Sequence, residues 1–149
     1  MDRVRYKVET AELGKLKDYH FSVIFARYNE KWLYCRQKGS DDYGNAGGHI
    51  EEGESALEAA KRELYEETGA LSYDIEGAFD YSTYSNEYGL KNGQIFFAQI
   101  HELGKLPDFE MEEVKLYDSI PEKLRFPDIL PILYSAMQEW LIKKTGNPK

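Results

Sequence analysis

Residues 48–70 read GHIEEGESALEAAKRELYEETGA and carry the strongest helix signal in the chain. The part from 54 to 68 consists of good helix formers, and apolar residues recur there at i, i+3 and i+7 (Leu57, Ala60 and Leu64). Glu54 or Ser55 can cap the start, and Gly69 stands at the usual C-terminal position. The sequence therefore predicts an amphipathic helix over residues 55–68.

Three glutamates of this helix carry the first indication of chemistry. At about 100° per residue, Glu63 and Glu67 are one turn apart, with Glu66 beside them at the rim of the apolar stripe. Like charges at this spacing repel and destabilise a helix, and a hard cation such as Mg²⁺ or Mn²⁺ would offset the repulsion through carboxylate oxygens. The spacing alone leaves two interpretations open, a metal site or a solvated acidic face.

Alternating apolar residues predict strands on both sides of the helix. The first two are HFSVIFARY (20–28) and KWLYCRQ (31–37), joined tightly by Asn29-Glu30 and followed by a polar, Gly-rich loop from 38 to about 48. Further strands are expected at about 72–84, 93–101 and 113–117, and a last helix from about Asp128 to Lys143, with Pro131 in its first turn. One α/β domain over residues 1–149 is the economical interpretation.

Composition excludes several classes of protein. The chain has 149 residues and a formal charge of −8, which argues against a stable nucleic-acid partner or an anionic membrane surface. The N-terminus lacks the apolar core of a signal peptide, and no apolar run approaches the roughly 20 residues of a membrane span. The single Cys35, predicted to be a packed strand thiol, fits a reducing compartment. We therefore expect a cytoplasmic protein without membrane contact.

The glutamate cluster lies within a longer pattern. Residues 48–70 resemble the Nudix box of the Nudix hydrolase family: Gly, five residues, Glu, seven residues, Arg-Glu, an aliphatic, any residue, Glu-Glu, any residue, Gly, an aliphatic. The matching residues are Gly48, Glu54, Arg62, Glu63, Leu64, Glu66, Glu67 and Gly69. Ala70 is smaller than the usual aliphatic, and Ala46 stands where a proline often precedes the two glycines. The resemblance covers 23 of the 149 residues and implies an α/β/α sandwich with a mixed sheet between helices.

The resemblance also implies roles for the matching residues. Glu63, Glu66 and Glu67, joined by the Gly47 carbonyl, are expected to bind Mg²⁺ or Mn²⁺, with Glu66 and Glu67 also serving catalysis. Four residues are expected to be structural (Gly48, Glu54, Arg62 and Gly69). Arg62 should point away from Glu67 and hold Glu54 or Glu66 through a bidentate pair.

Residues outside the box are expected to complete the site. Among Glu110, Glu112 and Glu113 we favour Glu113 as the catalytic base, since it immediately precedes the strand predicted at 113–117; solvent-exposed loop acids are the alternative. Similarity to the family suggests five substrate-binding residues (Arg27, Arg36, Lys38, Phe126 and Asp128). The three cations would contact phosphates, although each is as readily an ordinary surface charge. Asp128 could accept hydrogen bonds from guanine or simply cap the last helix.

These expectations combine into one function with open alternatives. The resemblance implies metal-dependent hydrolysis of a nucleoside triphosphate to a monophosphate and pyrophosphate, as in MutT-like members, with oxidised purine nucleotides such as 8-oxo-dGTP among the candidate substrates. The compact length, without an additional N-terminal domain, favours this over larger members of the family. The alternatives are hydrolysis of a nucleotide sugar or an RNA 5′ end, a non-catalytic nucleotide-sensing module, and a diphosphate isomerase of the same fold.

Overall fold

The protein forms one sheet of seven strands with a helix on each face. The computed structural model describes residues 4–146. The strands are β1 (Lys7–Glu12), β2 (Tyr19–Tyr28), β3 (Lys31–Gln37), β4 (Ala46–His49), β5 (Ala70–Ser85), β6 (Gly89–Leu103) and β7 (Met111–Tyr117), and the helices are α1 (Ala56–Thr68) and α2 (Leu130–Thr145). No helix in the described range is long and apolar enough to cross a membrane.

The strand order along the sheet is β1-β5-β6-β2-β3-β7, and β4 pairs with β2 outside this path. β2 and β6 run parallel, whereas every other pair is antiparallel. The sheet is therefore mixed, as the resemblance implied. The β2–β3 connection is the tight turn expected at Asn29-Glu30, whose φ angles of 53° and 64° give the twist that a two-residue hairpin requires.

Each face of the sheet has its own apolar core. The α1 core includes Ala60 and Leu64 of the helix together with Ile24 and Cys35 of the sheet. The α2 core includes Leu133 and Met137 of the helix, packed against alternate residues of the same strands, such as Phe25 and Tyr34. Because successive side chains of a strand point to opposite faces, β2 and β3 contribute to both cores, and the α/β/α sandwich is confirmed.

The structure differs from the sequence prediction in three places. β1 and β4 were not predicted: β4 is a four-residue strand rich in glycine, inside what looked like a loop. Leu57 was expected on the buried face of α1 but is 39% exposed. The prediction that Asp128 caps the last helix is wrong, because α2 begins at Leu130 and its N-cap is Ile129. Pro131 lies in the first turn of α2, as predicted.

Candidate active site

Local signals at both ends hold α1 in place. The Ser55 hydroxyl accepts from the backbone N–H of Glu58, and the Glu58 carboxylate accepts from the backbone N–H of Ser55, which is a complete capping box. Gly69 ends the helix at φ 82°, and a Cβ there would lie 2.5 Å from the Lys105 carbonyl oxygen. Glycine is therefore required at 69, as the sequence predicted, and the helix register is set from both ends.

This register turns two of the three box glutamates inward. Glu63 is 9% exposed and Glu67 is 6% exposed, and they lie on the buried face with Ala60 and Leu64. The expectation that all three carboxylates line the rim of the apolar stripe is therefore correct only for Glu66, which is half-buried. The buried pair lies one turn apart, so two like charges share a region with little water.

Arg62 is the main cation beside these carboxylates. Its Nε and Nη2 atoms donate to the two oxygens of Glu54 at 2.7 and 3.0 Å, the bidentate pair expected from the sequence. Its Nη1 atom also donates to Glu63 Oε1 at 2.5 Å and lies 3.5 Å from Glu66 Oε1. The guanidinium lowers the pKa of Glu54 to about 2, so this carboxylate stays charged and keeps Arg62 in position.

β4 brings backbone groups against the buried pair. The Gly47 N–H donates to Glu67 Oε1 at 2.9 Å. A Cβ at Gly47 would lie 2.4 Å from the Ser22 carbonyl oxygen, and a Cβ at Gly48 would lie 3.1 Å from the Glu63 carboxylate. Gly47 is required because the β2 backbone passes directly against it, and Gly48 leaves room for the Glu63 carboxylate.

The buried carboxylates are incompletely compensated. Burial raises the pKa of Glu67 to about 8, the Gly47 N–H bond lowers it, and the charge of Glu63 raises it further. Burial also raises the pKa of Glu63, although the Arg62 hydrogen bond opposes this shift. A pair of buried oxygen ligands short of positive charge fits a hard divalent cation. In the described part of the chain, however, no three His, Cys, Asp or Glu side chains are grouped ready to hold a metal, since Arg62 and Gly47 now engage these oxygens.

A cavity of about 470 Å³ opens on the α2 face beside β4. Gly47 and Gly48 form part of its wall, so the strand that contacts the carboxylates also borders the cavity. Its other lining residues come from β2, β5, β6 and the chain before α2, and they are mainly apolar and aromatic (Tyr6, Phe21, Val23, Gly44, Asn45, His49, Tyr81, Thr83, Tyr88, Lys91, Arg125, Phe126, Ile129, Leu130 and Leu133). A largely apolar concavity with a few polar groups is typical of a small-molecule site.

Glu113, the expected base, is not brought to the α1 carboxylates. It pairs with Arg36 across the β3–β7 ladder, and its Oε1 atom accepts from Tyr43 Oη at 2.5 Å and from Arg36 Nε at 3.3 Å. The neighbouring pair of the ladder, Cys35 and Val114, faces the α1 core, so Glu113 faces the other side of the sheet. The acid outside the box whose charge acts on Glu67 is Glu110.

The three predicted phosphate-binding cations also lie away from the cavity. The Arg27 guanidinium is 5.0 Å from the centre of the Trp32 ring, Arg36 is held by Glu113, and Lys38 pairs with the exposed Asp108 at 2.6 Å. None of the three lines the cavity. The sequence could not identify the partners of Arg36 and Lys38, because Glu113 and Asp108 lie 77 and 70 positions away in the chain, whereas the contact of Arg27 with Trp32 is local.

The segment before α2 contributes Phe126, but not Asp128, to the lining of the cavity. Phe126 lines the cavity, is 44% exposed and has φ 52°, a left-handed conformation that costs a bulky residue roughly 1–3 kcal/mol. Asp128 lies outside the cavity lining, and its Oδ2 atom accepts from the Tyr6 backbone N–H at 3.2 Å. Sequence reasoning missed Arg125, whose only signal was its position next to Phe126.

Cys35 is a packed strand thiol, as the sequence predicted, and His20 and His101 have partners within the fold. Cys35 is buried, its Sγ lies 3.3 Å from the Glu67 carbonyl oxygen, and burial raises its pKa well above the usual range. His20 Nδ1 accepts from the Asn92 backbone N–H, and His101 pairs with Asp74 at the surface. His49 lines the cavity, with its ring centre 4.9 Å from that of Phe21.

Comparison with known proteins agrees with this geometry. Residues 18–127 match the family model described as the NUDIX domain. The chain is 34% identical over 102 residues to the Bacillus subtilis protein named "Putative 8-oxo-dGTP diphosphatase YtkD"; the match covers 68% of this chain and spans 63% of the length of that relative.

Two solved structures show the same fold. The Bacillus subtilis pyrophosphohydrolase BsRppH, crystallised as a glutamate-to-alanine mutant, superposes with a TM-score of 0.73 and 26% identity, over 97% of this chain and 93% of that one. A NUDIX hydrolase from Nitrosomonas europaea superposes with a TM-score of 0.64 at 20% identity, over 85% and 90% of the two chains. With the box residues in place and 110 consecutive residues matched (18 to 127 inclusive), the chain belongs to the NUDIX domain family.

Proposed function

We propose that this protein hydrolyses a diphosphate linkage in a nucleotide, with Mg²⁺ or Mn²⁺ bound at Glu63, Glu66 and Glu67. The proposal rests on the position of β4, which borders both the buried carboxylates and the cavity. Gly47 and Gly48 contact the two buried carboxylates and also line the cavity. A nucleotide with its base in the cavity would therefore extend its phosphates past the glycines towards the carboxylates.

The glutamates fit the proposed metal by their chemistry. Carboxylate oxygens are the preferred ligands of Mg²⁺ and Mn²⁺, and the Gly47 carbonyl is proposed as a further ligand. When bound, such an ion supplies positive charge for the phosphate oxygens and lowers the pKa of a bound water. The chain's own contribution is to hold the carboxylates: Arg62 restrains Glu63 and Glu66, and the Gly47 N–H orients Glu67.

We propose Glu110 as the base in place of Glu113. Glu110 ends the loop before β7, and its charge acts to raise the pKa of Glu67, which supports a position near the box carboxylates. Glu113 is committed to Tyr43 and Arg36, whose hydrogen bonds lower its pKa. A carboxylate with a lowered pKa on the other face of the sheet is poorly suited to take a proton from the attacking water.

The proposed substrate is a nucleoside triphosphate, cleaved to a monophosphate and pyrophosphate. The relative from Bacillus subtilis whose name refers to 8-oxo-dGTP supports a purine nucleotide, including oxidised ones. A nucleotide sugar or an RNA 5′ end is the alternative substrate class. A purely nucleotide-sensing module is disfavoured, since all three box glutamates are present and two are held ready by backbone or Arg62 contacts.

The test is a turnover screen of nucleoside triphosphates, nucleotide sugars and triphosphorylated RNA with Mg²⁺ and Mn²⁺, with the products identified by mass spectrometry. We expect monophosphate and pyrophosphate from a purine triphosphate, no activity in EDTA, and recovery when either ion is added back. Full turnover in the metal-stripped protein would overturn the metal mechanism. No turnover of any substrate with either ion would favour the sensing module.

Two variants locate the base in the same assay. Glu110→Gln should lower kcat by about 10²-fold or more, within the range for loss of a general base. Glu113→Gln should change kcat little and reduce thermal stability, because it loses an ionic contact with Arg36. The reverse ranking would return the base to Glu113.

A further inference from the structure

The charge of the cavity lining is unlike that of the whole protein. The chain has a formal charge of −8, yet the residues that line the cavity include Lys91 and Arg125 and no aspartate or glutamate. A ligand in this cavity therefore meets positive charge and hydrogen-bond donors at its polar edge. Acids of the described chain lie behind this lining: Glu67 and Glu63 behind Gly47 and Gly48, at the end assigned to the phosphates, and Asp128 and Glu87 beside Tyr6.

Arg125 is also free of any carboxylate partner among residues 4–146. Several other cations of the described chain are paired with an acid (Lys31–Asp118, Arg36–Glu113, Lys38–Asp108, Arg62–Glu54, Lys123–Asp41 and Lys144–Glu76). The Arg125 guanidinium instead lies 5.0 Å from the centre of the Phe126 ring, and its Nη1 and Nη2 atoms donate to the amide oxygen of Gln37 at 2.5 and 3.3 Å. Both contacts are neutral, so the charge remains available to a ligand.

A second polar group in the lining lacks a partner. Among the described residues, Asn45 Oδ1 is a buried acceptor without a hydrogen bond, whereas its Nδ2 atom donates to the Ile24 carbonyl oxygen at 3.4 Å. A buried acceptor without a hydrogen bond destabilises the fold. A ligand that has an N–H group beside its own acceptor atoms would supply the donor that Asn45 Oδ1 lacks.

These groups distinguish among nucleobases. A 6-oxopurine presents O6 and N7 as neighbouring acceptors, which a guanidinium can bind with two parallel hydrogen bonds, and it carries a proton on N1. Adenine presents an amino donor at position 6 and no proton on N1. Its amino group would therefore face the donors of Arg125, and its N1 acceptor would face the Asn45 acceptor. The apolar and aromatic remainder of the wall suits a planar base and not a further phosphate.

We propose that Arg125 is the residue that determines specificity in this cavity, and that it selects a 6-oxopurine through O6 and N7. An 8-oxopurine carries a proton on N7 and keeps only the O6 contact, so the unoxidised base is bound more tightly. The inference rests on the proposed function and deepens it, because it moves base recognition from Asp128, which holds Tyr6, to Arg125. Since no carboxylate lines the cavity to accept from the 2-amino group, guanine and hypoxanthine are bound alike.

Binding of nucleoside monophosphates tests this without turnover. Calorimetric titration should give GMP and IMP dissociation constants about tenfold lower than that of AMP, the size expected for one bidentate base contact. The 7-deaza analogue of GMP, which lacks the N7 acceptor, should bind more weakly than GMP. Arg125→Ala should weaken GMP binding to the affinity of AMP. Arg125→Lys keeps the positive charge but cannot donate two parallel hydrogen bonds, so it should lose most of the difference in affinity between GMP and AMP.

Lys144→Ala is the matched control. It removes a cation stacked 5.2 Å from the centre of the Trp140 ring, outside the cavity, and should leave the GMP-to-AMP ratio unchanged. AMP binding as tightly as GMP to the unaltered protein would overturn the proposal, even if Arg125→Ala failed to fold. IMP binding as weakly as AMP would also overturn it, since the 2-amino group would then be the feature recognised.

The outcome is separable from that of the hydrolase proposal. A 6-oxopurine preference in binding, with no hydrolysis of any nucleotide, would refute the hydrolase alone. Hydrolysis of GTP and ATP at equal kcat/KM, with equal binding of their monophosphates, would refute the role of Arg125 alone.

Discussion

The sharpest test of the site is a pair of substitutions at Glu67. Its carboxylate does two things at once: it adds a second negative charge beside the buried Glu63, and it accepts from the Gly47 N–H at 2.9 Å. Glu67→Gln removes the charge and keeps an oxygen to accept from Gly47. Glu67→Ala removes both, so it leaves a half-buried N–H without its partner, at a cost of about 1–3 kcal/mol.

The two variants therefore differ in stability but not in activity. If Glu67 is a metal ligand, both should lower kcat by about 10³-fold or more, which corresponds to roughly 4 kcal/mol of lost transition-state stabilisation. In the metal-free protein above pH 8, where Glu67 is charged, Glu67→Gln should be as stable as the unaltered chain or more so, since it relieves repulsion with Glu63. Glu67→Ala should be less stable than Glu67→Gln by the value of the lost hydrogen bond.

The assay combines steady-state kinetics with urea unfolding in EDTA. Glu139→Gln, on the exposed side of α2, serves as the control for the amide substitution and should alter neither quantity. A Glu67→Gln protein that keeps its rate would refute the ligand role. Equal loss of stability in both Glu67 variants, with activity falling only as the fraction folded falls, would mean that Glu67 serves the fold and not the chemistry.

Three further predictions concern the structure around the site. Gly47→Ala should cost about 3 kcal/mol or more, because its Cβ would lie 2.4 Å from a carbonyl oxygen of β2, whereas Gly53→Ala, with φ 86° and open space, should cost only about 1 kcal/mol in urea unfolding. Asp80 is buried, and burial raises its pKa, but hydrogen-bond donors including Gln94 lower the pKa more. The charged Asp80 therefore stabilises the fold above the usual pKa of an aspartate, and this stabilisation is lost as pH falls through the lowered pKa. Asp80→Asn should therefore reduce stability at pH 7 by about 1–3 kcal/mol and flatten its fall below pH 4, and a parallel pH profile would refute this. Asp128→Ala should lower the free energy of unfolding by about 1 kcal/mol and leave the GMP-to-AMP binding ratio intact; a collapsed ratio at full stability would restore direct reading of the base by Asp128.

Local sequence determined the helix and its chemistry. The Ser55–Glu58 capping box and Gly69 act over three or four residues, so the bounds and register of α1 follow from neighbours in the chain. The bidentate pair of Arg62 with Glu54 was likewise predictable, because the fixed spacing of the box brings the two together. The long strands were also predictable from the local sequence, since the burial of one face of a sheet makes apolar residues recur at every second position.

Groups that depend on contacts between distant segments could not be read from the sequence. β4 has too few side chains to show a pattern, and it is a strand because Gly47 and Gly48 pair with β2 while contacting Glu67 and Glu63. The choice between Glu110 and Glu113 depended on which side of the sheet each carboxylate occupies. A bulge in β7, opposite Arg36 and Gln37 of β3, changes the alternation there, because the register passes directly from Glu113 to Met111.

The partners of charged residues were decided by tertiary structure alone. Arg36, Lys38 and Asp128 looked equally suited to bind substrate, yet each contacts a group at least 70 positions away in the chain. Arg125 showed no distinguishing motif, and its importance comes from lining a cavity without a carboxylate beside it in the described chain. Local spacing sets what a helix presents, whereas only the folded arrangement decides which charges are neutralised and which remain available to a ligand.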